Sequence, residues 1–246
     1  FLRATAAMSD SSAPAVRMRR IVKSFGPVEV LKEVDLDIHA GEVHALAGEN
    51  GAGKSTLMKV LQGVHPITSG EIEVNGEPVK IRNPADAERV GIGMVFQEFS
   101  LVPSMTVAQN IFLNRELRSK LGLIDDRAAE REAARIFADL GVSIDPAARV
   151  ETLGTAYWQL VEIAKAVAKN ATVLVMDEPT NNLDLESVAA LADCVREFKG
   201  AVVVVSHDQF FVNSVCDEAW VVNNGKVKRA ASFQAYVERQ VRKLER

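Results

Sequence analysis

Residues 48–56 have the types and spacing that bind a polyphosphate. They match the pattern G-x-x-x-x-G-K-[ST] at every fixed position. The glycines let the backbone turn tightly, and successive N–H groups at the start of the following helix then face the anion. Lys54 adds a positive charge near the terminal phosphates, and Ser55 offers a hydroxyl to Mg²⁺. The motif therefore predicts a phosphate-binding loop rather than an ordinary glycine-rich turn.

Polar residues also follow two continuous apolar runs, residues 172–176 and 201–205. Such runs predict strands that are buried on both faces of a parallel sheet. Asp177 and Glu178 follow the first run, at the edge where ligands bind in open α/β sheets, so they can serve a metal ion and a water together. His207 follows the second run. A surface acidic pair is the alternative for the first site, and a purely structural histidine is an equal alternative for the second.

The elements that must position these residues follow from local patterns. A short apolar run before the phosphate loop predicts a buried strand, and the residues after the loop predict a helix. Alternating stretches with Gly-Pro or Asn-Gly turns predict further strands, whereas residues 99–168 change to helical spacing. The predicted strands and hairpins lie at 16–38 with a turn at 24–27, 43–47, 71–76, 91–96, 172–176, 201–205 and 218–227, and the predicted helices begin near 57, 125, 155 and 232.

Two further residues have more than one interpretation. Phe25, at the edge of a turn, could pack in the core or stack on a flat base, and core packing is the safer prediction. Gln97 ends an apolar run that predicts a strand, and a lone glutamine at a strand end is usually a surface polar group. Taken singly, neither residue is assigned to the phosphate site.

Size and composition fit one α/β domain with an appended lobe. The chain has 246 residues, of which 48% are hydrophobic and 25% are charged. The net charge of -4 argues against broad nucleic-acid binding. Cys194 and Cys216 lack metal-ligand spacing and predict buried reduced thiols, which fits a reducing cytoplasm. Because no apolar run is long enough, the chain is not predicted to span a membrane, and residues 1–14 are predicted to form a disordered lead.

The order of these motifs resembles that of the ATP-binding-cassette (ABC) ATPases from Val16 onward. The resemblance implies an α/β fold with a P-loop NTPase core, an antiparallel β-lobe and an inserted helical lobe at about residues 99–168. It implies a single nucleotide-binding domain at residues 15–246. It also implies that ATP and Mg²⁺ are bound between two cassettes that face each other head to tail.

The resemblance assigns roles to individual residues. Glu178 resembles the general base that polarises water, and His207 resembles the residue that contacts the γ-phosphate. Gln97 resembles the residue that links the lobes and senses Mg²⁺ and the γ-phosphate, and with Ser55 and Asp177 it would form the metal site. The implied nucleotide-binding residues are Phe25, as the adenine-stacking aromatic, and Gly48, Asn50, Gly51, Ala52, Gly53, Lys54, Ser55 and Thr56 of the loop.

The family's signature should precede the helix near residue 160, where residues 153–159 are Leu-Gly-Thr-Ala-Tyr-Trp-Gln. The family usually has a serine and small residues here, which hydrogen-bond the γ-phosphate of a partner. Gly154 replaces the serine, and Tyr157 and Trp158 are bulky. A glycine offers an N–H but no hydroxyl, so this face lacks one of the groups with which the family binds a partner's ATP. The chain's own loop is intact, which is compatible with an asymmetric pair of sites.

Two parts of the chain resemble different subfamilies. Residues 18–168 resemble the amino-terminal cassette of bacterial sugar importers of the ribose and galactose type. Residues 177–187 and 203–208 resemble the soluble ABC-F translation factors more closely, and Asp184 matches the aspartate of the loop that crosses between cassettes. Natural variation and a recombined chain both fit this split.

The favoured function is that of an ATP-hydrolysing subunit of an ABC transporter that imports a sugar or similar small solute. The implied partners are a second cassette, as a homodimer, a heterodimer or a tandem half, transmembrane permease subunits, and indirectly a periplasmic solute-binding protein. The implied location is cytoplasmic, peripheral to the inner face of the cell membrane. The alternatives are an ABC-F type ATPase that binds the ribosome and a regulatory nucleotide-binding module with weak hydrolysis.

Overall fold

The computed structural model describes residues 13–95, 99–181 and 183–244, which form two β-sheets and flanking α-helices. The strands are β1 (Val16–Phe25), β2 (Val28–Ile38), β3 (Val43–Gly48), β4 (Ser69–Val74), β5 (Glu77–Val79), β6 (Ile92–Val95), β7 (Val173–Asp177), β8 (Ala201–Val205), β9 (Glu218–Asn223) and β10 (Lys226–Arg229). The helices are α1 (Lys54–Leu61), α2 (Pro84–Arg89), α3 (Val107–Ile111), α4 (Asp126–Asp139), α5 (Thr155–Ala168), α6 (Leu185–Glu197), α7 (Gln209–Val215) and α8 (Phe233–Leu244).

The larger sheet has the strand order β10-β9-β3-β8-β7-β6. All of its strands except β10 run parallel. Every residue of β3 and β8 is buried, because these strands are covered on both faces, as their continuous apolar sequences predict. Parallel strands carry their following loops to one edge, so the residues after β3, β7 and β8 meet there.

The smaller sheet is antiparallel, with the order β2-β1-β4-β5. Val16 pairs with Ile38 on β2 and with Val74 on β4. The turn between β4 and β5 contains Asn75 and Gly76, both in the left-handed region at φ 52° and 81°. This Asn-Gly hairpin and the strands on either side of residues 24–27 confirm the sequence-based prediction.

Helices α3, α4 and α5 lie in the region that was predicted to be helical. Asp125 caps α4 by accepting a hydrogen bond from the backbone N–H of Ala128, and Ile136 and Phe137 of that helix are buried. The same hydrophobic cluster contains Ile163 of α5 and residues of β7 and β8. The helical region therefore shares a core with one face of the larger sheet.

Local patterns did not reveal α2, α6 and α7, which begin at Pro84, Leu185 and Gln209. The terminal helix was predicted and is α8. Cys194 is buried and Cys216 is half-buried, and both are free thiols whose pKa is raised to about 12, chiefly by burial. No helix among the described residues has the length and apolar character needed to cross a membrane. Most of the predicted lead, at residues 1–14, lies outside the described residues.

Candidate functional site

The phosphate loop connects the end of β3 to the start of α1. Gly48 has φ 149°, and a Cβ there would lie 2.4 Å from the carbonyl oxygen of Val222 on β9. Gly53 has φ 112°, and its Cβ would lie 3.2 Å from a methyl group of Leu31. Both positions therefore need glycine, because the backbone is left-handed and neighbouring strands press against it.

Lys54 folds back over this loop. Its Nζ donates hydrogen bonds to the carbonyl oxygens of Gly48, at 2.7 Å, and Glu49, at 3.1 Å. The side chain is only 8% exposed, and burial lowers the pKa of its ammonium group, against the opposing effect of Glu178 and Asp177. A cation held among backbone carbonyls is well placed to transfer its hydrogen bonds to phosphate oxygens that enter the loop.

Asp177 and Glu178 lie at the carboxyl end of β7, next to the loop. Burial raises the pKa of both carboxyl groups. Lys59 and then Lys54 oppose this effect at Asp177. At Glu178, His207 and then Lys54 oppose it. Glu178 adopts φ 47°, a left-handed conformation that is strained for a residue with a side chain. Its backbone N–H donates to the carbonyl oxygen of Val205 at 2.8 Å, which holds this conformation against the end of β8.

His207 contacts Glu178 directly. Its Nε2 lies 3.2 Å from one carboxylate oxygen, and its backbone N–H donates to the other at 3.3 Å. Beneath this pair, the buried hydroxyls of Thr180 and Ser206 are hydrogen-bonded at 3.1 Å. The two loops after β7 and β8 are thus joined by several bonds, and sequence reasoning did not identify the hydroxyl pair because nothing in the local pattern connects it.

The strand ends and the loop enclose a cleft of about 290 Å³. The structure brings most of the predicted site residues together in it. It also adds Val30 of β2 and Val205, two apolar residues that no sequence motif singles out. The described residues that line it are Val30, Asn50, Gly51, Gly53, Lys54, Ser55, Thr56, Asp177, Glu178, Val205 and His207.

Four predicted site residues, Gly48, Ala52, Phe25 and Gln97, are not among the described lining residues. Gly48 belongs to the loop and lies against the backbone of Val222, and Ala52 of the loop packs against the hydrophobic core. Phe25 lies at the end of β1, with its ring 5.0 Å from that of His65 and 4.8 Å from Nζ of Lys23. The Phe25 ring is 43% exposed, so the prediction of core packing is wrong. Gln97 lies outside the described residues.

The family signature, residues 153–159, lies at the start of α5. Gly154, Thr155 and Tyr157 are exposed there. Trp158 turns inward instead, where its Nε1 donates to the carbonyl oxygen of Val150 at 2.8 Å and its ring meets Phe99 edge to face. Of the two bulky side chains in the signature, only Tyr157 therefore projects from the surface.

Two helix starts differ from the others in their capping. Among helices α1 to α7, only α1 and α5 begin without a side-chain hydrogen bond to their first backbone N–H groups, and both have glycine at the cap. An uncapped helix start leaves N–H groups free for an anion. The helices with side-chain caps are α2 (Asn83), α3 (Thr106), α4 (Asp125), α6 (Asp184) and α7 (Asp208).

The cleft also offers oxygen ligands that suit a small divalent cation. Ser55 is exposed at the loop and Asp177 is half-buried opposite it, and both line the cleft. Mg²⁺ favours hard oxygen ligands and commonly takes one or two from protein and the rest from phosphate and water. The donor set therefore fits Mg²⁺ in the presence of a phosphate-bearing ligand.

Comparisons with known proteins agree with this geometry. The family model described as "ABC transporter" matches residues 31–181. The ribose import ATP-binding protein RbsA 1 of Rubrobacter xylanophilus is 44% identical, over 94% of this chain and 47% of that protein. RbsA 1 of Streptomyces avermitilis, also named a ribose import ATP-binding protein, is 46% identical, over 86% of this chain and 41% of that protein.

Solved structures share the fold. An ATP-binding cassette of an ABC transporter, crystallised in its ADP conformation, aligns with a TM-score of 0.75 and 26% identity over 87% of this chain and 89% of that chain. This likeness confirms the predicted fold class. The chain spans less than half the length of the curated relatives named above.

Proposed function

The chain belongs to the ABC transporter family of ATP-binding cassettes, and we propose that it hydrolyses ATP to power import of a sugar or similar small solute through a membrane permease. The observation that carries the enzymatic part is the cleft in which the phosphate loop, an acidic pair and a histidine converge from three parallel strands. The ribose-import names of the relatives support the class of solute.

The phosphates of ATP would bind the loop between β3 and α1. The start of α1 has no side-chain cap, so its first backbone N–H groups would be available to the phosphates, and Lys54 lines the same cleft. Asn50 and Thr56 line the same space, as does Val30, which offers an apolar surface at the side of the smaller sheet. Phe25 is exposed on that sheet, and we assign it the adenine end of the nucleotide.

Ser55 and Asp177 would hold Mg²⁺, with Gln97 as the third predicted ligand. Bound there, the ion would neutralise phosphate charge and help align the γ-phosphate. Asp177 suits this role because its raised pKa reflects burial, and a burial effect on a carboxylate is relieved by a nearby cation.

Glu178 would act as the general base in hydrolysis. A raised pKa brings a carboxylate closer to the strength needed to accept a proton from the attacking water near neutral pH. The oxygen of that water would form a new bond to the γ-phosphorus. The bond between the γ-phosphorus and the oxygen that bridges it to the β-phosphate would break, and ADP and phosphate would leave. His207, 3.2 Å from the base, would orient Glu178 and contact the γ-phosphate. Positioning and electrostatics carry the rate enhancement in such reactions.

A second cassette would complete the site. The uncapped, exposed start of α5 is the surface that could reach a partner's γ-phosphate. Permease subunits, an indirectly coupled periplasmic solute-binding protein and a location at the inner face of the membrane belong to the same proposal. The chain spans less than half the length of these relatives, so the relatives' names support this part of the proposal only by similarity.

The enzymatic part is tested by Glu178→Gln. We expect turnover of ATP to fall on the order of 10²- to 10³-fold while ATP binding is retained, because the variant keeps the shape of the side chain but loses the base. Phosphate release and equilibrium nucleotide binding measure the two effects separately. Glu186→Gln on α6 is the matched control, since Glu186 is exposed and does not line the cleft. Unchanged turnover in Glu178→Gln would remove Glu178 from this role.

The transport part is tested by identifying the proteins that co-purify with this chain. We expect it to co-purify with integral membrane proteins in detergent and to show ATP turnover that rises when a sugar-loaded binding protein is added to the reconstituted complex. Sedimentation with ribosomes instead would favour the ABC-F alternative.

A further inference from the structure

The turn between β9 and β10 lies directly against the phosphate loop. The backbone N–H of Gly225 in this turn donates to the carbonyl oxygen of Ala52 at 3.2 Å. The carbonyl oxygen of Gly225 accepts from the backbone N–H of Lys32 on β2 at 2.8 Å. One residue of the turn thus connects the loop to the smaller sheet through both of its backbone polar groups.

Steric contacts reinforce these two hydrogen bonds. Gly225 has φ 76°, and a Cβ there would lie 2.3 Å from the carbonyl oxygen of Val30. A Cβ at Gly53 in the loop would approach both Leu31 and a methyl group of Val222 on β9. The phosphate loop is therefore held between β2 on one side and the β9–β10 hairpin on the other.

We propose that the Asn224-Gly225 turn positions the phosphate loop, so that the hairpin at the sheet edge sets the loop's readiness to bind a nucleoside triphosphate. The turn does not itself contact the nucleotide phosphates. It acts through Ala52, whose carbonyl it fixes, and through Val30, which it approaches and which lines the cleft. The effect on nucleotide affinity rests on the proposed function, whereas the effect on the loop's rigidity does not.

A matched turn elsewhere in the chain isolates this role. Asn75 and Gly76 form the same kind of turn, with φ 52° and 81° against 49° and 76° for Asn224 and Gly225. A Cβ at Gly76 would meet no atom within 4 Å. Gly76→Ala and Gly225→Ala therefore introduce the same left-handed strain, and only Gly225→Ala adds a collision beside the loop.

The experiment compares these two variants with the unmodified chain. We expect Gly225→Ala to weaken binding of a non-hydrolysable ATP analogue with Mg²⁺ about tenfold relative to Gly76→Ala, because the loop loses its fixed support. Without nucleotide, amide hydrogen exchange in residues 48–56 should be faster in Gly225→Ala than in Gly76→Ala. Equal exchange in the two variants overturns the proposal.

Failure of the proposed function and failure of the positioning role of the turn give different results. If the unmodified chain binds no nucleotide, the proposed function fails, and the exchange comparison still decides whether the turn positions the loop. If Gly225→Ala does not fold, Val222→Ala replaces it, with Val203→Ala as its control, since both valines are buried in the same sheet and only Val222 lies beside Gly53. Faster loop exchange in Val222→Ala supports the proposal, and equal exchange overturns it.

Discussion

The starts of α1 and α5 are alike in lacking a side-chain cap, but their surroundings differ. At α1, Lys54 is buried over the loop, and two strand ends close the cleft from the other side. At α5, Gly154 and Tyr157 are exposed, and Trp158 packs inward. The first is a pocket that the chain builds by itself. The second is an open surface, and under the proposed function it would contact a nucleotide only when it faces a second cassette.

The largest effect is expected from Lys54→Ala, in the enclosed site at the start of α1. We expect nucleotide affinity to fall at least about 100-fold, because a charge-assisted contact to phosphate is lost at the centre of the enclosed site. Equilibrium binding of a nucleotide with Mg²⁺ measures the loss. Lys199→Ala is the control, because that side chain is also a lysine but is exposed and does not line the cleft. Retained tight binding in Lys54→Ala would show that the phosphates bind elsewhere.

The pH dependence of turnover tests whether the enclosed site governs the chemistry. Burial raises the pKa of Glu178 above the ordinary value of 4.5, so the base becomes protonated at a higher pH than an exposed glutamate. Turnover should therefore fall about tenfold per pH unit below that raised pKa, and the acid limb should lie above pH 4.5. A rate profile at saturating ATP measures it. An acid limb at or below the ordinary value would contradict the assignment.

The same carboxyl group has a consequence for stability with a definite sign. Since its folded-state pKa is raised, Glu178 favours the fold most when protonated, and that contribution is lost as the pH rises through the raised pKa. At neutral pH, the melting temperature of Glu178→Gln should thus be no lower than that of the unmodified chain. Thermal unfolding of the two proteins without nucleotide checks this expectation.

The smallest expected effect is at the open surface. Gly154→Ser restores a hydroxyl at the start of α5, and we expect turnover at high protein concentration to rise about threefold to tenfold through one added hydrogen bond to a partner's nucleotide. Thr155→Ser is the control, because it keeps a hydroxyl at the neighbouring exposed position. No gain in Gly154→Ser would mean that backbone N–H groups of this face already suffice or that the face is not used.

Much of the enclosed site could be predicted from sequence, because its signals are local. The phosphate loop has a fixed spacing, and the apolar run of β7 leads straight into Asp177 and Glu178. The strand order then brings these together without further information. By contrast, the bond between Thr180 and Ser206 joins residues far apart in the chain, and no periodicity reveals it.

The orientation of some side chains could not be predicted, because residue spacing does not specify whether a side chain points into the core or toward solvent. Phe25 was expected in the core and is exposed, because β1 ends at a turn where its ring lies beside His65 and Lys23. Trp158 is one of the two bulky residues of the signature, and its indole lies inward, where it donates a hydrogen bond to the carbonyl oxygen of Val150. Helices α6 and α7 were missed, although Asp184 and Asp208 cap them in the ordinary way.

The bonds between the loops after β7 and β8 have a consequence for how ligand and fold depend on each other. The loops that carry the acidic pair and His207 are joined to each other by the Glu178–Val205 backbone bond and by the hydroxyls of Thr180 and Ser206. The phosphate loop is held separately, between β2 and β9. A nucleotide bound in the cleft would contact both groups of residues and so link them reversibly. At a concentration of 100 times its Kd it would add about 2.7 kcal/mol to the free energy of unfolding. Nucleotide binding in the cleft would then stabilise the folded cassette against thermal unfolding as well as supply the substrate.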